Sequence, residues 1–530
     1  MKCLSPSVRL RLSLLVTLAL GTALSPGCGR KTRVESGSRD GVLHIAIRGE
    51  PPDLDPDTNI DWDTSHVLNA LFEGLVRLSN DGHAVLPGAA DRWEVSADGL
   101  IYTFHIRPDA RWSNGAALTS DDFVFSFRRA IDPMLACEES SFGFAIAGAE
   151  AYAEGRAKDP STLGLDAPDA HTFVIRLATP APYFLSLLGT GTLFLPVNRA
   201  SLERFGGVHQ RGAAWTREGN LVCNGPFVLT RWAQNQVIEV RRNPLYWDAA
   251  NVRLAGVNFY PVEDFSAQER GYRAGEFHVT TAFPIYKASA YETEKPSVLH
   301  MSPILRTEFL TFNVAITPFT DARVRQALSL AVDRDRLASA VYHSFAEPAH
   351  ALVRPGTGGY TPPASPSCRF DPDAARRLLA EAGYPGGHGF PVVELMLVGN
   401  DSHTISTGEV LQATWQSVLG IGTSLLPTEA KVYFDAERTK HYHVILDIWI
   451  SPWDDPSSTF QIAQSGNPNN DSGWSDSGFD RAYHNAEIAL DPKARARAFD
   501  VQEARLAAGV PYAPIFFTNQ PQLVHPAVRG

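Results

Sequence analysis

The sequence contains little cysteine, five residues in 530, and no C-x-x-C pair. This absence argues against a zinc ribbon and against a thioredoxin-type redox site. Besides Cys3 and Cys28 near the N-terminus, only Cys137, Cys223 and Cys368 are present, so at most one disulfide bond can form among these last three.

The motifs of common exported hydrolases are also missing. No serine stands three residues before a lysine, as an S-x-x-K nucleophile requires, and neither G-x-S-x-G nor H-E-x-x-H occurs. Asp53, Asp55 and Asp57 imitate the start of an EF-hand, but Thr58 replaces the glycine that this loop needs. We therefore expect no catalytic residue, no resident metal ion and no cofactor, and an exported hydrolase is the least supported alternative.

Positive charge is scarce relative to negative charge. The 47 lysines and arginines are outnumbered by 58 aspartates and glutamates, which gives a formal net charge of −11. This balance argues against a general nucleic-acid partner, because phosphate binding needs a basic surface. Hydrophobic residues at 44% and charged residues at 20% are typical of a globular protein, and 530 residues predict more than one domain.

The N-terminal segment has an apolar run, Leu12–Leu24, that is too short to cross a bilayer comfortably, which takes about 20 residues. Basic residues precede it and small residues follow it, so residues 1–28 are predicted to be a bacterial export signal. The string LSPGC at its end resembles a lipobox, which predicts acylation of Cys28 and a lipid anchor. Ordinary signal cleavage beside an unmodified cysteine is the alternative.

Strand and helix patterns alternate along the rest of the chain. Apolar residues at every second position from Leu43 to Ile47 predict a strand. Thr119 with Asp122 predicts a capped helix start, and Asp371-Pro372 predicts another helix that stops at Gly383. No repeat of fixed period is present. The sequence therefore predicts a multidomain protein of the α/β or α+β class.

An ordered series of strings resembles the oligopeptide- and dipeptide-binding proteins, family 5 of the extracellular solute-binding proteins. The resemblance runs from about residue 43 to 525, in the order and spacing of that family. The strings that carry it are EPPDLDP at 50–56, LFEGL at 71–75, LTSDDFVFSFRRAIDP at 118–133, NGPFVL at 224–229, RRNPLYWD at 241–248, PFTDARVRQALSLAVDRDRL at 318–337 and DPDAARRLLAEAGYP at 371–385.

The resemblance implies an α/β, two-lobed periplasmic-binding-protein fold of type II, in the large class that carries an extra subdomain, with the ligand cleft between the lobes. The predicted divisions are 1–28 signal peptide, 29–40 flexible tether, 41–72 first segment of lobe I, 73–196 inserted subdomain of lobe I, 197–305 second segment of lobe I, 306–513 lobe II and 514–530 return to lobe I.

The same resemblance implies the function. The protein would be the extracytoplasmic or periplasmic binding component of an ABC importer, lipid-anchored to a bacterial membrane and monomeric. It would close around a small peptide and deliver it unchanged to the membrane permease. Such ligands bind as an added strand through their main chain, while roomy, wet pockets accept many side chains.

The stretch that contacts the ligand in these relatives has the pattern G-W-x-x-D-Y-x-D/E-P. Here the corresponding stretch is IWISPWDDP at 448–456, and Pro452 stands where an aspartate pairs with the peptide's α-ammonium group. Either Asp454 or Asp455, or Asp447 upstream, supplies the missing charge, or the ligand has no free amino group there. The predicted ligand-binding residues are Trp62, Arg306, Trp449, Ile450, Ser451, Trp453, Asp454 and Asp455.

The loss of the aspartate leaves a second ligand class open. Trp449 and Trp453 would suit stacking on a sugar or another planar group. A non-peptide ligand, namely an oligosaccharide, a metal chelate or haem, is therefore the main alternative to a peptide.

Overall fold

A computed structural model describes residues 31–80, 82–292, 297–342, 345–399 and 401–529. The predicted signal peptide and Cys28 lie outside these residues. Within them, none of the helices combines the length and the apolar character that crossing a bilayer requires.

Strands account for the three main sheets and one small hairpin. In chain order they are β1 (Val42–Ile47), β2 (Val76–Leu78), β3 (Val85–Pro87), β4 (Ala90–Val95), β5 (Ile101–Ile106), β6 (Leu165–Asp169), β7 (Thr172–Arg176), β8 (Phe227–Ala233), β9 (Val237–Arg242), β10 (Gly256–Pro261), β11 (Val279–Thr280), β12 (Leu299–Phe312), β13 (Ala346–Pro348), β14 (Val393–Val398), β15 (Thr423–Thr428), β16 (Val444–Ile450) and β17 (Tyr512–Leu523).

Helices cover the faces of these sheets. In chain order they are α1 (Arg33–Asp40), α2 (Trp62–Leu71), α3 (Ser120–Ile131), α4 (Ala149–Ala153), α5 (Phe184–Thr190), α6 (Arg199–Phe205), α7 (Phe265–Arg273), α8 (Ala288–Glu292), α9 (Ala322–Leu330), α10 (Arg334–Val341), α11 (Pro372–Glu381), α12 (Ser402–Leu419), α13 (Ala430–Thr439), α14 (Pro456–Phe460), α15 (Ser477–Ile488) and α16 (Pro492–Gly509).

The sheets define three bodies. Lobe I is built on a five-stranded sheet of order β11-β1-β10-β9-β8, and lobe II on a six-stranded sheet of order β13-β17-β12-β16-β14-β15. The inserted subdomain is built on a four-stranded antiparallel sheet of order β4-β5-β7-β6. Each body has its own buried apolar core, as expected for a chain too long to form one core. The α/β, two-lobed architecture predicted from the sequence is confirmed.

Local sequence patterns explain where several elements begin. The Thr119 amide donates to the Asp122 carboxylate at 2.8 Å, which closes the predicted capping box of α3. Phe123 and Phe127 on the next turns are fully buried. Asp371 caps α11 through a 2.9 Å hydrogen bond from the Ala374 amide, and the predicted strand at residues 43–47 lies within β1. These helix starts and this strand are confirmed.

The flexible tether predicted for residues 29–40 is replaced in its second part by helix α1. Thr32 and Glu35 form a reciprocal capping box, and Gly41 ends the helix with a φ of 69°. Val34 is buried, and Gly37 approaches Val42 and His278 so closely that a side chain would not fit. The polar composition of this segment gave no periodic apolar signal for a helix, because only one narrow stripe of the helix packs against lobe I.

Two long strands connect the bodies. β12 and β17 pair antiparallel from Thr311 opposite Tyr512 to Leu299 opposite Leu523, and Val524 then bridges to Val279 in lobe I. The chain therefore contacts lobe I again at residue 524, while residues 514–523 still belong to the large sheet. The division predicted at residue 514 falls inside β17.

Candidate functional site

A cavity of about 1060 Å³ lies between the lobes. One wall comes from the start of α2 and from segments 138–150 and 179–194 of the inserted subdomain. The opposite wall comes from residues 449–453 at the end of β16 and from segment 461–487 of lobe II. Segments far apart in the sequence thus form one partly enclosed site, whose size suits a ligand of several residues.

The end of β16 carries main-chain groups to this cavity. On one side it pairs with β12, with Arg306 opposite Ile450, and the Ser451 amide donates to the Leu305 carbonyl at 2.8 Å. On its other side the pairing with β14 ends at Leu446. Beyond that point, no strand of the described chain covers the second edge of residues 448–450. The Ile448 amide already donates to the Asp447 carboxylate at 2.7 Å. An extended ligand can add to this edge through the remaining main-chain groups.

Trp62 is the first residue of α2, where Asp61 caps the helix through the Thr64 amide at 2.7 Å. Its indole is 48% exposed, lines the cavity and meets the ring of His66 edge to face at 6.1 Å. Burial lowers the pKa of His66, so this imidazole is neutral at pH 7. Trp62 is therefore part of the cavity wall and does not belong to the buried core.

Trp449, Ile450 and Ser451, three of the residues predicted to bind the ligand, also line the cavity. The Trp449 indole donates to the Ser458 carbonyl at 2.8 Å, and the Ser451 hydroxyl lies 2.7 Å from that of Thr459. Their orientations are therefore set before a ligand arrives. The Ile450 side chain is half exposed and offers an apolar surface to the cleft.

Trp453 reaches across from lobe II into the core of the inserted subdomain. Its ring stacks on Tyr183, with centroids 5.1 Å apart, and meets Phe142 edge to face at 5.6 Å. Only 6% of the residue is exposed, and its indole N–H has no hydrogen-bond partner in the described chain. Trp453 lines the cavity, but most of its ring joins the two walls and is not free to stack on a ligand.

The two acids expected to replace the lost aspartate do not line the cavity. Asp454 accepts a 2.7 Å hydrogen bond from the Gly358 amide and lies 3.2 Å from the His83 imidazole. Asp455 is buried, caps α14 and forms a bidentate ion pair with Arg495. Asp455 is satisfied within lobe II, and Asp454 is satisfied by Gly358 of lobe II together with His83 of the inserted subdomain, so this part of the site prediction is corrected.

The third candidate acid and the predicted arginine lie elsewhere too. Asp447 is buried beneath the sheet, where it accepts a 2.9 Å hydrogen bond from Thr311. Arg306 forms an ion pair with Glu308 at 3.0 Å, and Glu308 also accepts from Tyr342. Neither Asp447 nor Arg306 lines the cavity. The side chain of Asp447 is held by Thr311, and that of Arg306 by Glu308.

Sequence reasoning missed the carboxylates that do line the cavity, namely Asp61, Glu138, Glu139, Glu150 and Glu487. Burial, with the neighbouring Glu138 charge, raises the pKa of Glu139 to about 7. Burial also raises the pKa of Glu487, against the opposing effect of His484 and Arg495. The adjacent pair Glu138-Glu139 was the only local pattern that could have drawn attention to this wall.

One further acidic cluster lies outside the cavity. Carboxylate oxygens of Glu437, Asp447 and Asp471 all lie within 4.8 Å of one another, close enough to ligate a metal ion. Burial, together with mutual repulsion for Glu437 and Asp471, raises their pKa values to about 9, 6 and 7 respectively. Bound protons can therefore remove part of the negative charge of this cluster near pH 7 without a cation.

The fold and the enclosed cleft define a two-lobed solute-binding protein. The family model for bacterial extracellular solute-binding proteins, family 5, matches residues 84–471. The chain belongs to this family, and the resemblance drawn from its sequence is confirmed.

Individual relatives share nearly the whole chain. The periplasmic murein peptide-binding protein MppA of Escherichia coli is 32% identical over 491 residues, which cover 91% of this chain and 89% of the relative. Its unliganded open form has a TM-score of 0.79 over 92% of this chain and 93% of that chain, at 31% identity.

The probable deoxycholate-binding periplasmic protein YgiS of Escherichia coli is 31% identical over 500 residues, 92% of this chain and 90% of the relative. Haemophilus influenzae OppA, in complex with RPPGFSPFR, has a TM-score of 0.75 at 28% identity and covers 93% of this chain and 96% of that chain. The shared fold thus occurs with ligands of different chemistry.

Proposed function

We propose that this protein captures short peptides in the cleft and presents them unchanged to an ABC importer. The observation that carries this proposal is the partly enclosed cavity, along one wall of which the end of β16 has an edge without a partner strand. Strand addition satisfies the main-chain groups of any peptide, so affinity does not depend on one side-chain sequence. The names of MppA and of the peptide-bound OppA support a peptide as the ligand.

The cavity lining suits the rest of such a ligand. Trp62, Trp449 and Ile450 offer apolar surface, while Gln461, Gln464, Asn467 and Asn469 form a polar side. Uncharged amides can hydrogen-bond directly or through water, which tolerates varied side chains.

Closure is an interlobe rearrangement in this proposal. β12 and β17 run between the lobes, so a small change in their twist would move lobe II as a unit. Trp453 docks against Tyr183 and Phe142 only while the walls are together. A ligand that contacts both walls would therefore favour the closed state, and the permease would recognise that state.

The acyl anchor at Cys28 and an extracytoplasmic location belong to the same proposal, as does a monomeric state. Replacing Cys28 by serine should move the protein from the membrane fraction to the soluble extracytoplasmic fraction and abolish incorporation of labelled palmitate. Unchanged partitioning and unchanged labelling would show that this cysteine is not acylated.

The charge of the residues that line the cavity distinguishes between the possible non-peptide ligands. Its lining includes no lysine or arginine among the described residues, so the carboxylate of deoxycholate or the propionates of haem would meet no cation. An oligosaccharide carries no such charge, and Trp62 and Trp449 suit it. The oligosaccharide is therefore the second candidate.

Isothermal calorimetry on the mature protein separates these possibilities. Peptides of two to eight residues should bind, and mass spectrometry should recover them unmodified. Neutral oligosaccharides and deoxycholate serve as comparison ligands. Heat with oligosaccharides but none with any peptide would replace the proposal, and chemical turnover of a bound peptide would contradict a pure binding role.

A further inference from the structure

The charged side chains that line the cavity are all of one sign. Asp61, Glu138, Glu139, Glu150 and Glu487 contribute carboxylates, and the described lining contains neither lysine nor arginine. In a partly enclosed site of reduced dielectric, such a group attracts a cation and repels an anion. The lining therefore discriminates between ligands by charge.

These carboxylates differ in how far neighbouring groups already satisfy them. Asp61 caps α2, while Glu138 and Glu150 lie 3.7 and 3.6 Å from Arg211 and Arg156. Glu139 and Glu487, in contrast, form no ion pair or side-chain hydrogen bond with the residues the structure describes. Both are partly buried, where an unpaired carboxylate is costly. These two are the acids with unused capacity for a ligand.

The two acids lie on opposite walls. Glu139 precedes a short helical turn at Ser140–Ala145 in the inserted subdomain, and Glu487 lies on α15 of lobe II. A cation bound between them would interact with both bodies at once. Its charge would thus favour closure as well as binding.

A second, independent observation points to a ligand in the same cavity. Beyond Leu446, no strand of the described chain pairs with the edge of β16 that faces away from β12, and residues 449–451 line the cavity. A peptide added to that edge would therefore share the cavity with the two acids. The exposed face of Trp62 can in addition stack on a guanidinium or ammonium group.

We propose that the cavity selects cationic peptides, those carrying lysine or arginine, with Glu139 and Glu487 as counter-charges from the two walls. This inference rests on the proposed function, since it assumes that the cavity holds a peptide. It also accounts for Pro452: the positive charge of the ligand meets acids on other elements, so the aspartate at that position is dispensable.

Three tripeptides of equal length, Ala-Lys-Ala, Ala-Gln-Ala and Ala-Glu-Ala, test this selection by calorimetry at pH 7.5. The lysine peptide should bind about 100-fold more tightly than the glutamate peptide, with the glutamine peptide between them. Raising the salt concentration from 50 to 500 mM should reduce this ratio.

The variants Glu139→Gln and Glu487→Gln should each lower the Lys-to-Gln affinity ratio about threefold. Glu154→Gln is the matched control, because Glu154 is exposed, pairs with Arg156 and does not line the cavity. Thermal unfolding of each variant verifies that it is folded. The three tripeptide affinities measured on the unmodified protein test charge selection even if a variant does not fold.

The outcomes separate the two proposals. Equal affinity for all three tripeptides, or preference for the glutamate peptide, overturns cation selection and leaves peptide binding intact. No binding by peptides of any charge overturns both. A charge preference that persists unchanged in Glu139→Gln and Glu487→Gln overturns the assignment of these residues.

Discussion

The indole of Trp453 lies parallel to the phenol of Tyr183, with ring centroids 5.1 Å apart and 17° between the ring planes. This pair joins lobe II to the inserted subdomain beside the cavity. Stacked aromatic pairs contribute about 0.5–1.5 kcal/mol beyond the area they bury. The contact therefore links the relative position of the two bodies to the packing of one side chain.

Replacing Trp453 with alanine should weaken peptide binding about tenfold, because the closed state loses this contact. Small-angle scattering should show a larger radius of gyration at saturating peptide than for the unmodified protein. Phe370→Ala, which removes an exposed ring outside the cavity, is the control. Identical scattering and affinity for Trp453→Ala would contradict a closing role.

Asp455 should behave as a structural residue. Asp455→Asn leaves the buried Arg495 guanidinium without a full counter-charge and should lower the free energy of unfolding by about 3 kcal/mol. Peptide affinity should change less than about threefold once the protein is folded. Urea titration and calorimetry measure the two effects. A large loss of affinity without loss of stability would instead place Asp455 in contact with the ligand.

Trp62 should show the opposite behaviour. Trp62→Ala removes a half-exposed indole from the cavity wall and should lower peptide affinity about tenfold, while the free energy of unfolding changes by less than about 0.5 kcal/mol. Leu245→Ala, at another exposed apolar position outside the cavity, is the matched control. Unchanged affinity of Trp62→Ala would remove this residue from the binding site.

The buried acidic cluster should make stability depend on pH. In the folded protein burial raises the pKa of Asp447, Asp471 and Glu437 to about 6, 7 and 9, above the ordinary values of 3.8 for aspartate and 4.5 for glutamate. The folded state then binds more protons than the unfolded state, so stability falls as the pH rises. The contribution is complete below about pH 4, decreases progressively as the pH rises above that value, and is fully lost above about pH 9.

Glu437→Gln keeps the cluster neutral at this position and should raise the free energy of unfolding at pH 8.5 by about 1–2 kcal/mol, with little change at pH 5. Urea titrations at both pH values measure the difference. The exposed Glu381, changed to glutamine, is the control. Equal effects of both variants, or a larger gain at pH 5, would contradict the protonated cluster.

Local patterns predicted elements well where a few neighbouring residues decide the structure. Thr119 and Asp122 cap α3 because the capping box spans only three residues, and Asp371 with Pro372 starts α11 in the same way. The helix α1 escaped prediction because its capping residues, Thr32 and Glu35, lie in a polar segment whose packing partner is elsewhere in the chain.

The candidate site was also predicted only where neighbouring residues in the sequence decide the structure. Residues 449–451 line the cavity because one continuous strand carries them there. Asp454 and Asp455 follow within a few residues, yet the turn after β16 directs them to Gly358 and Arg495. Proximity in the sequence to residues that line a cavity does not show whether a side chain itself faces that cavity.

The sequence by itself determined the family, the α/β class and the starts of several helices, because hydrogen-bonding patterns and apolar periodicity are local properties. Only the tertiary structure decided which acids face the ligand space. Glu139 and Glu487 come from different bodies, and their opposition across one cavity arises from the packing of remote segments. A charge acts on a ligand through distance in space, which the order of residues does not specify.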